Sequence, residues 1–108
     1  MSIYPKVIDK SDIKPVTLHL RVENNNKNSI SGRIVFVITD PKNVKKKIEE
    51  EVTIRGFDKI DKYYNYSLKK KALLGRYFVE GRFYFGKESI LSENHETDFF
   101  DVQGTKIL

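Results

Sequence analysis

The chain contains no cysteine and no tryptophan, and it has only three prolines and two histidines in 108 residues. Without cysteine, disulfides and thiolate metal sites are excluded as sources of stability. No apolar run approaches the ~20 residues of a membrane-spanning helix, and no signal peptide is visible. The G-x-S-x-G nucleophile motif and the strand–helix alternation of nucleotide-binding folds are also absent. We expect a single domain, residues 1–108, with an ordered body at about 3–102.

Aromatic residues are plentiful instead, with seven phenylalanines and six tyrosines. They are densest in residues 72–86, ALLGRYFVEGRFYFG, where large apolar residues recur at every second position. Alternation places Tyr77, Val79, Phe83 and Phe85 on one face of a strand, and Phe78, Glu80, Arg82 and Tyr84 on the other. The pattern predicts a central β-strand whose first face lies in an aromatic core.

Two residues of this strand have predicted structural roles. Gly81 interrupts the row of large core side chains, so it leaves room for a neighbour across the sheet. Tyr77 closely follows Gly75 at the start of the strand. This position predicts a tyrosine corner, in which the hydroxyl bonds back to the backbone a few residues upstream.

Further strands are predicted on both sides of this one. Residues 16–23 alternate apolar and polar side chains, and residues 33–40 are apolar on both faces, as in a buried strand. Residues 44–54 fit a helix or a strand, and we favour a strand because the segment lies between β elements. Less regular strands are expected at residues 3–9, 60–68, 90–91 and 97–102. The total of about seven strands predicts an all-β fold, an immunoglobulin-like antiparallel β-sandwich.

A family resemblance rests on three segments: LHLRVENNNKNSISGRIVFVITDP, GRYFVEGRFYFG and ILSENHETDFFDV. The first is similar to the second and third strands of fibronectin-III-like sandwiches, and more narrowly of CARDB-type cell-adhesion-related domains. The second resembles a late strand of those domains, and the third resembles their closing strand with its preceding turn. The resemblance implies a surface-exposed binding or spacer module without catalysis, although a fold alone does not establish a function.

Neither histidine is predicted to serve a chemical reaction. His19 occupies a polar position of an alternating strand, so we expect a solvated side chain. His95 lies in an acidic loop, residues 93–98, whose spacing matches no EF-hand or zinc motif. No histidine is expected beside a strand-end serine, as nucleophilic catalysis requires. We expect no catalytic residue, no metal and no cofactor, while a carboxylate pair such as Glu80 with Glu93 stays open.

The net charge of +5 is unevenly distributed. Residues 41–75 carry +5, whereas the charges of the two flanking parts, +2 and −2, cancel. Its main clusters are Lys45, Lys46 and Lys47, and Lys69, Lys70 and Lys71. Close to Tyr63 and Tyr64, such cations can hold single-stranded nucleic acid by phosphate contacts and base stacking. We favour a role in protecting strand edges, because three glutamates at residues 49–51 cancel the first cluster. Nucleic acid is the least favoured partner.

Carbohydrate is the main alternative partner. Tyr63, Tyr64 and Tyr66 can stack on sugar rings if they are exposed, although packing between strands is the favoured role. A protein partner is favoured because Phe78 and Tyr84 place two aromatic rings on a face that should be wet. The residues expected to contact a partner are Phe78, Arg82, Tyr84, Tyr63, Tyr64, Lys69, Lys70 and Lys71.

The leading hypothesis is therefore a non-catalytic, immunoglobulin-like interaction or adhesion module, not an enzyme. It would belong to a cell-surface or secreted assembly, while a cytoplasmic location stays open. A carbohydrate-binding module is the alternative, and a basic nucleic-acid-binding β-domain is the further alternative. Strand addition at an exposed sheet edge is one mode of contact that such a module can use.

Overall fold

The computed structural model describes residues 1–85, 90–91 and 95–104, and every regular element within them is a β-strand. This part of the chain holds nine strands: β1 (Ser2–Tyr4), β2 (Val7–Asp9), β3 (Val16–Glu23), β4 (Ile30–Thr39), β5 (Lys45–Ile54), β6 (Lys59–Tyr66), β7 (Gly75–Phe85), β8 (Ile90–Leu91) and β9 (Glu96–Gln103). The predicted all-β class is confirmed. Residues 86–89, 92–94 and 105–108 lie outside the described part.

The strands form two sheets. The smaller sheet has the order β1-β3-β6, and the larger has the order β2-β9-β7-β4-β5, with β8 beside β7. Inward-facing side chains of both sheets meet in one hydrophobic core, which is the arrangement of a β-sandwich. In the described residues, no helix is long and apolar enough to cross a membrane.

The first strand corrects the prediction in two ways. The single edge strand expected at residues 3–9 is two strands, of which β1 pairs antiparallel with β3 and β2 pairs parallel with β9. Pro5 lies between them and has no N–H to continue a ladder, so the chain crosses there from one sheet to the other. The sandwich is therefore not wholly antiparallel. This split, with the short β8, also raises the strand count above seven.

The core is organised by the aromatic strand β7, as predicted. Tyr77, Val79 and Phe83 are buried, and the Tyr77 ring stacks on Phe100 of β9 with centroids 4.9 Å apart. A Cβ atom placed on Gly81 would lie 3.2 Å from the Leu20 side chain of the opposite sheet. The prediction that Gly81 leaves room for a neighbour across the sandwich is confirmed.

The predicted hydrogen bond of Tyr77 is also confirmed. Its hydroxyl donates to the backbone carbonyl of Leu73 at 2.9 Å. The bond ties the loop between β6 and β7 to the ring that stacks in the core. A buried carbonyl that loses its donor costs free energy, so the fixed path of this loop depends on the tyrosine.

Strand β5 settles the ambiguous segment, because Lys45–Ile54 pairs along its whole length with β4. Two charged residues near the middle of their strands break the inward apolar pattern, Glu50 in β5 and Lys62 in β6, while Lys46 near the start of β5 lies over the Tyr66 ring. The Lys62 Nζ atom donates to the Glu50 carboxylate at 2.9 Å, although the two strands belong to different sheets. The two exceptions to the pattern therefore compensate each other.

All four lateral edges of the sandwich carry a feature that discourages pairing with another chain. The edge strands β1 and β2 are only three residues long. The long edge strands β5 and β6 each direct a charge, Glu50 or Lys62, toward the space between the sheets. Short edge strands and inward-pointing charges are common protections against edge-to-edge aggregation. The protective role was predicted for the lysine clusters, of which Lys45, Lys46 and Lys47 lie on the edge strand β5, and for them it stays a prediction.

Removal of the Tyr77 hydroxyl tests the corner. Tyr77→Phe keeps the stacked ring but loses the bond to Leu73, so we expect the free energy of unfolding to fall by about 1 kcal/mol. Tyr63→Phe is the matched control, because Tyr63 is exposed, and its change is expected within about 0.5 kcal/mol. Urea denaturation followed by circular dichroism measures both, and equal losses would contradict the role of the corner.

Replacement of the inter-sheet ion pair tests the edge protection. In Glu50→Val with Lys62→Val we expect unchanged or higher stability but concentration-dependent self-association, because both long edges become apolar. Sedimentation velocity at several protein concentrations measures the association. Lys47→Gln with Glu49→Gln removes an outward ion pair from the same edge strand and should stay monomeric. A double valine variant that also stays monomeric would refute the protective role.

Candidate functional site

The outer face of the larger sheet is covered mainly by its own charged side chains. Val35 and Val37 of β4 point outward and are nevertheless buried. Each lies between charged cross-strand neighbours, which are Glu49 and Arg82 for Val35, and Lys47 and Glu80 for Val37. The ion pairs Lys47–Glu49 and Arg82–Glu80 run along the two flanking strands at 2.9 and 2.6 Å. The aliphatic stems of such side chains can cover the valines while the charges stay in water.

Arg82 and Tyr84, both predicted contact residues, are engaged within this face. The Arg82 guanidinium donates to both oxygens of Glu80 at 2.6 Å and to the Tyr84 hydroxyl at 3.1 Å. This hydrogen bonding lowers the pKa of Glu80. Arg33 lies over the Tyr84 ring, 4.9 Å from its centroid. Arg82 and Tyr84 are both half-buried. They therefore form a rigid polar surround and are not free binding groups.

Phe78 is the exception on this face. Its side chain is 56% exposed, and its cross-strand neighbours are Thr39 and Phe99. The Phe99 ring is half-buried beneath Arg76, at 3.8 Å from the centroid, and lies 5.5 Å from the Lys6 ammonium. Among the described residues Phe78 itself makes no ring or cation–π contact. Phe78 is thus an exposed aromatic ring on a face where Val35, Val37 and Phe99 are covered, although Val7 on the edge strand β2 is also exposed.

The predicted lysines lie at one end of the sandwich and not on this face. Lys69, Lys70 and Lys71 are exposed in the loop that leads into β7. Tyr63 and Tyr64 point to opposite sides of β6, since Tyr64 packs against the core and Tyr63 is 68% exposed. The sequence prediction grouped these residues, but alternation along the strand separates them.

The outer face of the smaller sheet carries a hydrogen-bonded network around His19. The imidazole Nδ1 lies 3.3 Å from the Ser2 hydroxyl, and Nε2 lies 2.7 Å from the Asp61 carboxylate. Arg21 donates to the same carboxylate at 2.9 Å, and the Tyr63 ring stacks on the imidazole at 4.4 Å. The expectations of a merely solvated His19 and of no histidine beside a strand-end serine are both wrong, because strand pairing aligns these distant residues.

This network is better suited to fixing side chains than to catalysis. A serine, a histidine and an aspartate occur together in nucleophilic enzymes, which also enclose the reacting group and aim donors at the developing oxyanion. Here the three residues lie on the open outer face of a sheet, in contact with water. The geometry therefore favours an imidazole held in one orientation beneath the Tyr63 ring.

No group of three or more histidine, cysteine, aspartate or glutamate side chains in the described part of the chain is arranged to hold a metal ion. The acidic loop at residues 93–98, whose spacing matches no EF-hand or zinc motif, is described only from His95 onward. The carboxylate pair of Glu80 with Glu93 also falls partly outside the described residues, and Glu80 is already bound by Arg82.

No protein-family model matches this chain, and no curated protein matches it either. The function is therefore argued from the surfaces that the structure presents.

Sequence reasoning identified Phe78, Arg82 and Tyr84, and it predicted a β4 buried on both faces, but it missed Phe99. A signal for Phe99 was present, because alternation in TDFFDV places one phenylalanine outward and the next inward. The burial of the outward valines was predicted, but the residues that cover them were not. Their burial depends on which charged residues lie opposite on β5 and β7, and that register is not written in β4 itself.

The His19 network generates an acid-pH prediction. Hydrogen bonds from Arg21 and from His19 lower the pKa of Asp61 from 3.8 to about 2. A carboxylate with a depressed folded-state pKa stabilises the fold above its unfolded pKa and loses that contribution as pH falls. We therefore expect the wild type to lose stability between about pH 4 and pH 2, and Asp61→Asn to show a shallower decline.

Denaturant midpoints measured across this pH range test the effect. Glu23→Gln, which removes an exposed carboxylate from the same strand face, is the control and should keep the wild-type slope. If Asp61→Asn and the wild type decline in parallel, the network does not stabilise the sheet.

Proposed function

We propose that this chain is a non-catalytic, immunoglobulin-like interaction module that binds a protein partner through the outer face of its larger sheet, around Phe78. The proposed setting is a cell-surface or secreted assembly, which the resemblance to CARDB-type and fibronectin-III-like domains implies. The single observation that carries the contact surface is the Phe78 ring, which is 56% exposed on β7, the central strand of the larger sheet, opposite the last residue of β4.

The strand order supports the immunoglobulin-like part of the proposal. In the letters used for such domains, β1 to β7 become A, A′, B, C, C′, E and F, and β9 becomes G. The sheets are then A-B-E and A′-G-F-C-C′, with a parallel A′–G pair. A tyrosine corner at the start of strand F is a hallmark of this fold, and Tyr77 occupies that position with the expected bond.

The surroundings of Phe78 resemble those of an interface hot spot. Such sites have a central aromatic anchor within a surround that excludes water and adds little energy itself. Around Phe78, the ion pairs Arg76–Asp101 and Arg82–Glu80 are already formed within the chain. A partner would therefore bury the ring without having to break or to satisfy these charges, which lowers the cost of desolvation.

The charges on this face favour a protein over a nucleic acid. Carboxylates of Glu80, Asp101 and Glu49 share the outer surface with Phe78. Nucleic-acid affinity arises mainly from cations that neutralise phosphates, and carboxylates oppose it. The edge strands are short or carry inward charges, so a contact by the face is favoured over strand addition at an edge.

Carbohydrate binding keeps one specific observation in its favour. Tyr63 is 68% exposed, and its ring is held by stacking on His19 with the planes 14° apart. A fixed ring with one free face can stack on the C–H groups of a sugar. Tyr64 and Tyr66 do not support this function, because both are half-buried and pack against the core.

Truncation of the exposed ring tests the proposed contact. Peptides selected from a random library on the immobilised wild-type chain are expected to converge on the functional surface. Phe78→Ser should weaken the selected peptides by about 30-fold or more, as truncation of an aromatic hot spot does. Isothermal titration calorimetry with the enriched peptides measures the loss.

Phe57→Ser is the matched control, because Phe57 is 75% exposed but lies in the turn between β5 and β6, at the opposite end of the sandwich. Its affinity for the selected peptides should stay at the wild-type value. Equal losses in the two variants would contradict the assignment of the face. Retention on immobilised oligosaccharides that disappears in Tyr63→Ala would instead support the carbohydrate alternative.

A further inference from the structure

One end of the sandwich is formed by three neighbouring loops, residues 10–15, 40–44 and 67–74. The register fixes their common position, because Val16 at the start of β3 pairs with Tyr66 at the end of β6, and Thr39 at the end of β4 pairs with Lys45 at the start of β5. The Pro41 ring lies 3.1 Å from a Cβ placed on Gly75, where β7 begins. The three loops therefore present one continuous surface, which we call the lysine end.

The lysine end has an unbalanced charge. Its loops contain six lysines and two aspartates. The lysines are Lys10, Lys14, Lys42, Lys69, Lys70 and Lys71, and all six are exposed. Only Lys14 has an ion-pair partner among the described residues, the Asp12 carboxylate at 3.4 Å. The carboxylate of Asp40 turns into its own loop, where it accepts the backbone N–H groups of residues 42 and 44.

Cations on the strands behave differently. Five of the nine strand cations, Arg21, Lys47, Lys62, Arg76 and Arg82, each have a carboxylate partner within 3 Å. Among the described residues, the share of cations without a carboxylate partner is therefore higher in the loops of the lysine end than on the strands. Edge protection requires charge along a strand, so it does not explain lysines in the loops.

Two aliphatic side chains project from the same end. Val44 and Leu74 are among the exposed large hydrophobic residues, and each belongs to one of the basic loops. The exposed Tyr63 ring lies elsewhere, on the outer face of the smaller sheet. The exposed Tyr4 ring borders the lysine end, because it lines one groove with Asp12, Lys14 and Pro15. The lysine end therefore combines several ammonium groups that have no ion pair with two aliphatic tips, and one tyrosine ring lies at its border.

We propose that the lysine end docks on an anionic lipid surface, with Val44 and Leu74 entering the interface and the lysines facing the headgroups. Clusters of four to eight basic residues attract anionic membranes electrostatically. Apolar side chains next to such a cluster add binding by burial at the interface. Three loop tips at one end of a sandwich can all reach a flat surface at once, whereas a narrow peptide would contact only some of them.

A nucleic acid fits this end less well. Strong binding of single strands adds base stacking on aromatic rings to phosphate contacts, and the tips here are valine and leucine. Docking by the end also leaves the outer face around Phe78 beside the membrane and accessible, so the lipid contact does not depend on the proposed protein contact.

Vesicle flotation with the full chain tests the proposal. Vesicles of phosphatidylcholine with phosphatidylserine should carry the protein, vesicles of phosphatidylcholine alone should not, and binding should weaken as salt is added. Changing Lys69, Lys70 and Lys71 together to Gln should weaken binding about a hundred-fold, at about five-fold for each lysine near the surface. Leu74→Ser should weaken binding as well, with all charges retained.

A matched control removes three cations from the opposite end, as Lys27→Gln, Arg55→Gln and Lys59→Gln. It lowers the net charge equally, so it should change vesicle binding by no more than a few-fold if position matters. Phe78→Ser should bind vesicles like the wild type. Circular dichroism of each variant confirms that it is folded.

Three outcomes would overturn the proposal. The first is no binding to the anionic vesicles at low salt, and the second is an equal loss in the two triple variants. The third is tighter binding of oligonucleotides or of polyglutamate than of vesicles, with the same loss in the 69–71 variant, which would assign the lysine end to those partners instead.

Discussion

A two-layer sandwich buries only one face of each sheet, but β4 has apolar side chains on both faces. The rest of the structure depends on how the outer face of β4 is covered. Strand β4 is apolar on both faces, so Val35 and Val37 would be exposed if nothing covered them. Charged residues on β5 and β7 lie opposite them and pair along their own strands. Ion-paired side chains, rather than a third layer of structure, thus cover the outward valines of β4. As a result, most charged side chains of the larger sheet have partners within the chain.

Local patterns in the sequence predict the strands well, because alternation acts within a few residues. The inward row of β7, the Gly81 gap and the Tyr77 bond all follow from positions inside one segment. The division at Pro5 and the parallel β2–β9 pair do not, because they depend on which distant strand accepts each half. The pairing of Glu50 with Lys62 could not be predicted for the same reason. Each residue breaks the apolar alternation of its own strand, and only the packing of the two sheets shows that the two charges meet.

The same distinction applies to the candidate site. Alternation places Phe78, Arg82 and Tyr84 on one face, but it does not show which of these side chains is available to a partner. Arg82 is hydrogen-bonded to Glu80 and Tyr84, whereas the cross-strand neighbours of Phe78 are Thr39 and Phe99. The grouping of Lys69, Lys70 and Lys71 with Tyr63 fails for a related reason. Tyr63 lies within β6, whereas the three lysines follow the end of that strand in a loop at the end of the sandwich. Residues that are close in sequence therefore lie on different surfaces.

The distribution of unpaired groups connects the faces with the proposed functions. Side chains on paired strands can find partners at fixed spacings of a few ångströms across the ladder, as Arg21 does with Asp61 and Arg76 does with Asp101. Loop lysines have no such ladder, so their charge remains available to an external surface. The Phe78 ring also stays exposed, because among the described residues no cation lies over it as Arg76 lies over Phe99. Among the described residues, Phe78 on the face and most lysines of the loops at one end thus lack such internal partners, and for that reason they carry the two proposed contacts.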